Sequence, residues 1–472
     1  MLDKHSKRYW KSPEERDAQV RLLDGARDEF SEPVVALSDS FGRRDFLKAA
    51  GFAVTAATLT GCSRAPVEKA IPFLVQPEEI IPGKAYFYAS TCDGCSAACG
   101  MLVRNRDSRP IKLEGNPEHP VTRGGLCAVG QASLLGLYDA SRYLQPQMQG
   151  KETTWDELDH AVAVQLQTVR ANKGAVRFLT GSIASPTTRA QIRAFLKNFS
   201  DARHVVYDAL SSSAILDAHE RTHSARVLPR YRFDRAEVIV SFDADFLGTW
   251  ISPVEYTAGY CAGRNPDSKP PRMSVHVQFE SRMSVTGSKA DLRVRVAPGE
   301  LGLVMSHLAQ RLARKAGVTL AWSALQESSV SAKLLDELAV RLWEARGKSL
   351  VVCGEQSIAA QALCNFINHV LGNYGLTLDL EKPSFQRQGN DQNLAALLDE
   401  LRAGKVAALF LSGVNPVFDL PAGEELAAAL KKIPLLVSFA ERPDETSALA
   451  GFVCAVPHRL ESWDDAEAVA GV

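Results

Sequence analysis

At 472 residues, with 46% hydrophobic and 23% charged positions, the chain has the composition of a globular protein long enough for about three domains with their own cores. Lys and Arg number 54 against 55 Asp and Glu, a net charge of −1. That balance excludes a sequence-independent phosphate-binding surface and argues against a nucleic-acid partner.

Residues 1–62 read as an N-terminal address. Gly42-Arg43-Arg44-Asp45-Phe46-Leu47-Lys48 sets the pair Arg43 and Arg44 before the weakly apolar run 49–60, the pattern of a twin-arginine export signal. That pathway carries proteins across the membrane already folded, which suits a chain that receives its cofactor in the cytoplasm. The run is shorter than the ~20 residues needed to span a bilayer, so it reads as a signal h-region. The competing reading, an amphipathic helix with an Arg-Arg pair, lacks a polar face in the Ala/Gly/Thr-rich run. Leu59-Thr60-Gly61-Cys62 fits a lipobox, making Cys62 a candidate lipid anchor. Against cleavage stands the long segment 1–42, whose Tyr9-Trp10-Lys11-Ser12-Pro13 resembles a docking element that processing would discard. Residues 63–84 read as a linker, and no other stretch approaches 18 consecutive apolar residues.

Four of the nine cysteines follow: Cys92, Cys95, Cys99 and Cys127, spaced C-x2-C-x3-C-x27-C. Three close thiolates on a Gly-containing loop and a distant fourth suit a 4Fe–4S cluster. Four thiolates also make a closed zinc site, although structural zinc usually uses two paired knuckles and the second half here has one cysteine. A third reading is four cysteines without metal. A c-type haem is excluded because Ser96, not histidine, follows Cys95. Cys261, Cys353, Cys364 and Cys454 stand scattered in apolar contexts and read as buried small hydrophobes. Between Cys99 and Cys127, alternation at Leu102/Arg104 and Ile111/Leu113 predicts two short strands with a turn at Asp107-Ser108.

The stretch RPIKLEGNPEHPVTRGGLC, with Gly130-Gln131-Ala132-Ser133 and residues 137–143 after it, resembles the N-terminal iron–sulfur domain of the molybdopterin-dinucleotide oxidoreductases, here residues 85–145. In cofactor-bearing members a lysine or arginine sits two residues after the fourth cysteine, between cluster and pterin. Val129 holds that position here, and valine offers neither charge nor hydrogen bond.

Residues 146–472 alternate apolar β runs with helical stretches. The predicted fold class is α/β: a small β-rich iron–sulfur domain followed by molybdopterin-oxidoreductase-like parallel-sheet domains. Strands are predicted at 176–180, 236–243, 275–279, 292–296, 349–353, 406–411 and 435–439, with helices at 186–197, 301–315 and 331–346. The resemblance implies nucleotide-binding loops at strand C-termini. Its candidates are Gly181 and Ser182, Gly287-Ser288, Gly413 and Asn415 in Gly-Val-Asn-Pro, and Glu445 and Thr446 in the similar stretch 441–462; plain βα loops are the competing reading. The region 208–226, where a molybdenum ligand is expected, offers serines but no glycine. His219 and His223, at i and i+4 without a third ligand, read as a solvated helix face.

The pre-signal segment, the RRDFLKAAG signal, the linker and IKLEGNPEHP together resemble the large iron–sulfur subunit of alternative complex III, a quinol-oxidising respiratory assembly. That resemblance implies a place on the periplasmic face of the cytoplasmic membrane. It implies a multihaem cytochrome c subunit, a polytopic quinol-binding subunit and a ferredoxin-like iron–sulfur domain as partners, and a pterin-like half without molybdopterin guanine dinucleotide. Many members of that family lack the four cysteines, which this chain keeps. Two other readings remain: a catalytic molybdopterin oxidoreductase of the polysulfide or thiosulfate reductase type, and a cofactor-free scaffold. The closing residues 467–472 show no terminal helix or strand pattern, so the sequence reads as a fragment.

Overall fold

The computed structural model describes residues 81, 83–321 and 325–472, all in one compact unit, Pro77–Val472. Arg43, Arg44, Cys62 and most of the linker lie outside the described residues.

The chain opens on an antiparallel sheet of β1 (Tyr86–Thr91), β2 (Gly100–Arg106) and β3 (Arg109–Gly115). The turn falls where the sequence places it, because Asp107 and Ser108 adopt left-handed backbone (φ 50° and 64°), the conformation a two-residue hairpin loop requires. The first strand, β1, carries no clean alternation and was not expected. Two short helices follow, α1 (Ala128–Ala132) and α2 (Leu134–Leu137). A small core of Cys92, Cys99, Met101, Val103, Leu113 and Leu134 holds this module together.

Next come β4 (Gln147–Met148), β5 (Lys151–Glu152), α3 (Trp155–Ala171), β6 (Ala175–Thr180), α4 (Pro186–Leu196) and β7 (Ala202–Val206). Thr154 and Glu157 form a capping box on α3, and Ser185 caps α4 ahead of Pro186, the residue best suited to a first helical turn. The chain then leaves this sheet for a second one. It runs through α5 (Ser213–His223), β8 (Leu228–Tyr231), β9 (Val238–Phe242), α6 (Pro253–Gly263), β10 (Val275–Glu280), α7 (Val285–Ser288) and β11 (Leu292–Arg295). It continues with α8 (Leu301–Ala316), α9 (Ala332–Glu344), β12 (Ser349–Cys353), α10 (Ile358–Val370) and β13 (Leu378–Ser384). After α11 (Asp391–Arg402) it returns to the first sheet as β14 (Val406–Ser412), α12 (Pro416–Asp419), α13 (Gly423–Leu430), β15 (Leu435–Ala440) and β16 (Phe452–Ala455).

The larger sheet has the order β5-β4-β16-β15-β14-β6-β7, parallel from β16 to β7. The second sheet, β11-β10-β9-β12, is wholly parallel and is inserted between β7 and β14. Both are buried on both faces. Val238, Val240 and Phe242 of β9 face a core with α8, α9 and α10, while Ile239 faces Leu228, Tyr256 and Phe246 on the other side. That is why these strands read as continuous apolar runs.

Strand order matters for function. From β6 the chain moves one way to β7, and β14 then pairs on the opposite side of β6. The order reverses between β6 and β14, and ligands of open α/β sheets bind outside the strand ends at such a point. A second reversal lies between β9 and β12.

Candidate functional site

The cysteine loop is the connection between β1 and β2, closed by the Cys92 amide donating to the Cys99 carbonyl at 2.8 Å. Cys92 and Cys99 are buried; Cys95 and Cys127 are exposed. Cys127 arrives from the other end of the module as the cap of α1, its Sγ accepting from the Gly130 amide at 3.4 Å. The Gly94 amide donates to Cys92 Sγ, also at 3.4 Å. Gly130 is required for this approach: a β-carbon there would stand 2.6 Å from Leu126 Cδ1 and 3.3 Å from Cys92 Sγ. Gly100 allows the His119 ring to lie over the loop, since a β-carbon would fall 2.5 Å from the ring.

Burial pushes the Cys99 thiol up to about 12, and the nearby sulfurs of Cys95, Cys92 and Cys127 add to it. Burial is the main cause of the upward shift of Cys92 as well, partly offset by the Gly94 amide. The buried Cys92 and Cys99 thiols resist ionisation without a countercharge, which iron would supply. The loop thus fits a cluster. A zinc ion needs its sulfurs ~2.3 Å away on a single centre, whereas a cubane takes one thiolate at each of four corner irons.

The loop forms one wall of a crevice of about 690 Å³. The facing wall is the first topological reversal: Gly181 and Ser182 after β6, Asp208 after β7 and Gly413 after β14. The structure therefore brings the predicted Gly181, Ser182 and Gly413 together beside Cys92 and Cys95. Ser182 is committed to its neighbours, its hydroxyl donating to Asp208 at 3.0 Å and accepting from the Gln388 amide at 2.6 Å. Asn415, Glu445 and Thr446 meet one another instead. The Asn415 amide donates to Glu445 at 2.7 Å and accepts from the Thr446 hydroxyl at 2.6 Å, a clasp between α12 and the loop after β15. Gly287 and Ser288 sit on α7 in the other sheet, where Gly287 presses against the Glu280 carboxyl.

A pterin dinucleotide brings a diphosphate, which a parallel sheet ordinarily seats on the N-terminus of the helix after the first strand of the reversal. That helix is α4, and its first turn is taken. Asp465 accepts from the Ser185 hydroxyl and from the Thr187 hydroxyl, the latter at 2.6 Å, and these bonds hold its carboxyl below the usual range. The stretch around it is laced down by the Glu467 amide on Ala184 O at 3.0 Å and the Phe385 amide on Ala468 O at 2.8 Å. Asp93, Asp208, Asp419, Asp464 and Asp465 line the crevice against Arg387 and Arg459. An acidic lining with its helix terminus filled does not fit a diphosphate.

Two expectations are corrected here. His219 is buried rather than solvated: its Nδ1 lies 2.8 Å from the Ile215 carbonyl, its Nε2 lies 3.3 Å from the Tyr374 hydroxyl, and burial lowers its pKa to about 4. The ring stacks on His223 inside the α5/α10 packing, so the pair is structural. Cys261 is exposed, because α6 turns it away from the apolar face that Tyr256 and Tyr260 bury. Cys353, Cys364 and Cys454 are buried as expected. Sequence reasoning missed Asp208, Arg387 and Asp465, which come from three separate connections with no shared motif.

Residues 86–139 match the family described as Molybdopterin oxidoreductase Fe4S4 domain. The chain is 25% identical, over 79% of its length and 58% of the relative's, to the menaquinone reductase molybdopterin-binding-like subunit of Nitratidesulfovibrio vulgaris. It is 22% identical to a nitrate reductase of Klebsiella oxytoca, over 74% of this chain and 47% of that one. It spans about half the length of these curated relatives. Acetylene hydratase from Pelobacter acetylenicus shares the fold, with TM-score 0.57 and 12% identity over 77% of this chain and 62% of that one. These likenesses keep a molybdopterin cofactor consistent with the superfamily, whatever the charge of this crevice. Residues 86–139 thus carry a molybdopterin oxidoreductase Fe4S4 domain, and the chain with its paired parallel sheets is similar to molybdopterin oxidoreductases.

Proposed function

We propose that this chain is the exported iron–sulfur subunit of a membrane-associated respiratory complex that oxidises quinol, of the alternative complex III kind. In this reading it relays electrons or positions its partners and performs no molybdenum chemistry. Cys92, Cys95, Cys99 and Cys127 hold a 4Fe–4S cluster, which carries one electron at a time. One observation carries the reading: the cysteine loop faces a crevice whose anion seat on α4 is filled by the chain's own Asp465. Val129, 65% exposed beside the loop, adds no cation between cluster and crevice. The likeness to a subunit named for menaquinone reductase supports a quinone-linked complex. A multihaem cytochrome c, a polytopic quinol-binding subunit and a ferredoxin-like iron–sulfur domain are its partners in this proposal. The Arg43–Arg44 signal directs export to the periplasmic face of the membrane, and Cys62 is its candidate anchor.

Metal analysis of the protein purified from membranes tests this. About four irons per chain without molybdenum is the expected result. Molybdenum together with iron would overturn it in favour of a catalytic oxidoreductase of the polysulfide or thiosulfate reductase type. Neither metal would leave the cofactor-free scaffold. Mass spectrometry of the same preparation reads export directly: a chain retaining residues 1–42 in the cytoplasmic fraction sinks that part of the proposal.

A further inference from the structure

A cubane on four thiolates is an anion, and reduction adds a further negative charge, so a fixed cation nearby favours the reduced state. Two residues after the fourth cysteine, Cys127, stands Val129, which is neutral. The fold brings a cation to the loop from elsewhere. Arg387 follows β13 and lines the same crevice as Cys92 and Cys95. Its guanidinium donates to Ser96 Oγ at 3.1 Å and to the Gln386 carbonyl at 3.1 Å. The Ser96 hydroxyl donates to that same carbonyl, so the cysteine loop and the Arg387 backbone are tied directly. Ser96 is the residue after Cys95, which anchors the guanidinium on the loop itself. The two acceptors of its hydrogen bonds, Ser96 Oγ and the Gln386 carbonyl, are neutral, while the carboxylates of the crevice, Asp93 and Asp208 among them, stand around it without an ion pair to it among the described residues. Behind it Gln386 is fully buried and donates to Glu255 at 3.0 Å, and Glu255 pairs with Arg230 at 3.1 Å. The guanidinium is therefore held on a fixed segment and does not swing on a mobile one.

We propose that Arg387 is the electrostatic positioning residue of the cluster: it holds the cysteine loop through Ser96 and raises the cluster's reduction potential. This rests on the cluster reading above. The test is a redox titration followed by electron paramagnetic resonance on the full chain, comparing wild type with Arg387→Gln, Arg387→Lys and Ser96→Ala. Arg387→Gln shifts the midpoint to more negative potential, lowering the ratio of reduced to oxidised cluster about tenfold at the wild-type midpoint, which is about 59 mV for one electron. Arg387→Lys keeps the charge and recovers most of the shift. Ser96→Ala removes the anchor and leaves the charge, giving a smaller shift of the same sign, and it carries the test if Arg387→Gln does not retain its cluster. An unchanged midpoint in every variant that holds a cluster overturns the role of Arg387. A wild-type protein with no cluster signal overturns the cluster reading and takes the proposal with it, so the two failures are distinguishable.

Discussion

His219 shows how one buried side chain couples this fold to pH. With its pKa lowered to about 4 by burial, the imidazole is neutral in the folded chain, while in the unfolded chain it titrates near its ordinary 6.5. A group whose folded pKa is depressed contributes its full stability above the unfolded value and loses it as pH falls towards the folded one. Between pH 6.5 and 4 the unfolded state alone gains a proton, which costs about 3 kcal/mol of stability at the lower end. His219→Gln retains polar atoms without the titration. Urea midpoints at pH 7.5 and 5 should therefore fall less in this variant than in the wild type. Equal falls would show that His276, also lowered to about 4 by burial, or the carboxylates set the acid sensitivity. The sequence marked His219 only by its spacing from His223; its burial depends on Tyr374, far along the chain, and no local pattern carries that contact.

At the level of elements, both parallel sheets reverse direction once, and glycines at the strand ends behave differently at the two reversals. Gly354, after β12, packs against the end of β9: a β-carbon there would lie 2.2 Å from the Asp243 backbone oxygen, which cannot yield as a side chain does. Asp243 is itself held in left-handed backbone (φ 54°), and the Gly354 amide donates to the Phe242 carbonyl at 2.8 Å. Gly413, after β14, has nothing within 4 Å and only its φ of +63° to oppose a side chain. Gly354→Ala should therefore cost about 1–3 kcal/mol through overpacking, and Gly413→Ala about 1 kcal/mol through backbone strain. Chemical denaturation ranks them; an equal or reversed order would contradict the close approach. The strands themselves were legible, 175–180, 275–280 and 349–353 above all, because burial on both faces writes an unbroken apolar run into the sequence. Sheet order was not. Nothing in residues 175–206 says that β14, two hundred residues later, pairs with β6.

Across the whole molecule, the discontinuous path explains why the crevice was half visible. Its glycines lie in motifs that a reader can find, whereas Asp208, Arg387 and Asp465 are delivered by the insertion between β7 and β14 and by the stretch after β16. The same path ties the iron–sulfur module to the body. Arg142, 9% exposed, pairs with Glu461 and lies 3.5 Å from Glu441, while Arg442 reaches Asp139 at 3.3 Å and the Tyr143 amide donates to the Glu441 carbonyl at 2.9 Å. Removing one member of a largely buried pair costs 3–5 kcal/mol when both charges are enclosed. Glu461 and Glu441 are 44% and 28% exposed, so solvent screening reduces the effect to about 1–2 kcal/mol. That loss falls on the joint between the module and the body, since the cores of the two sheets do not include Arg142. In the wild type, thermal loss of cluster absorbance and loss of far-ultraviolet circular dichroism should coincide. In Arg142→Met the cluster signal should disappear several degrees earlier, with the main unfolding transition little changed, because the module detaches before the sheets melt. Coincident transitions shifted together would instead make the module and the body a single cooperative unit that this joint stabilises as a whole.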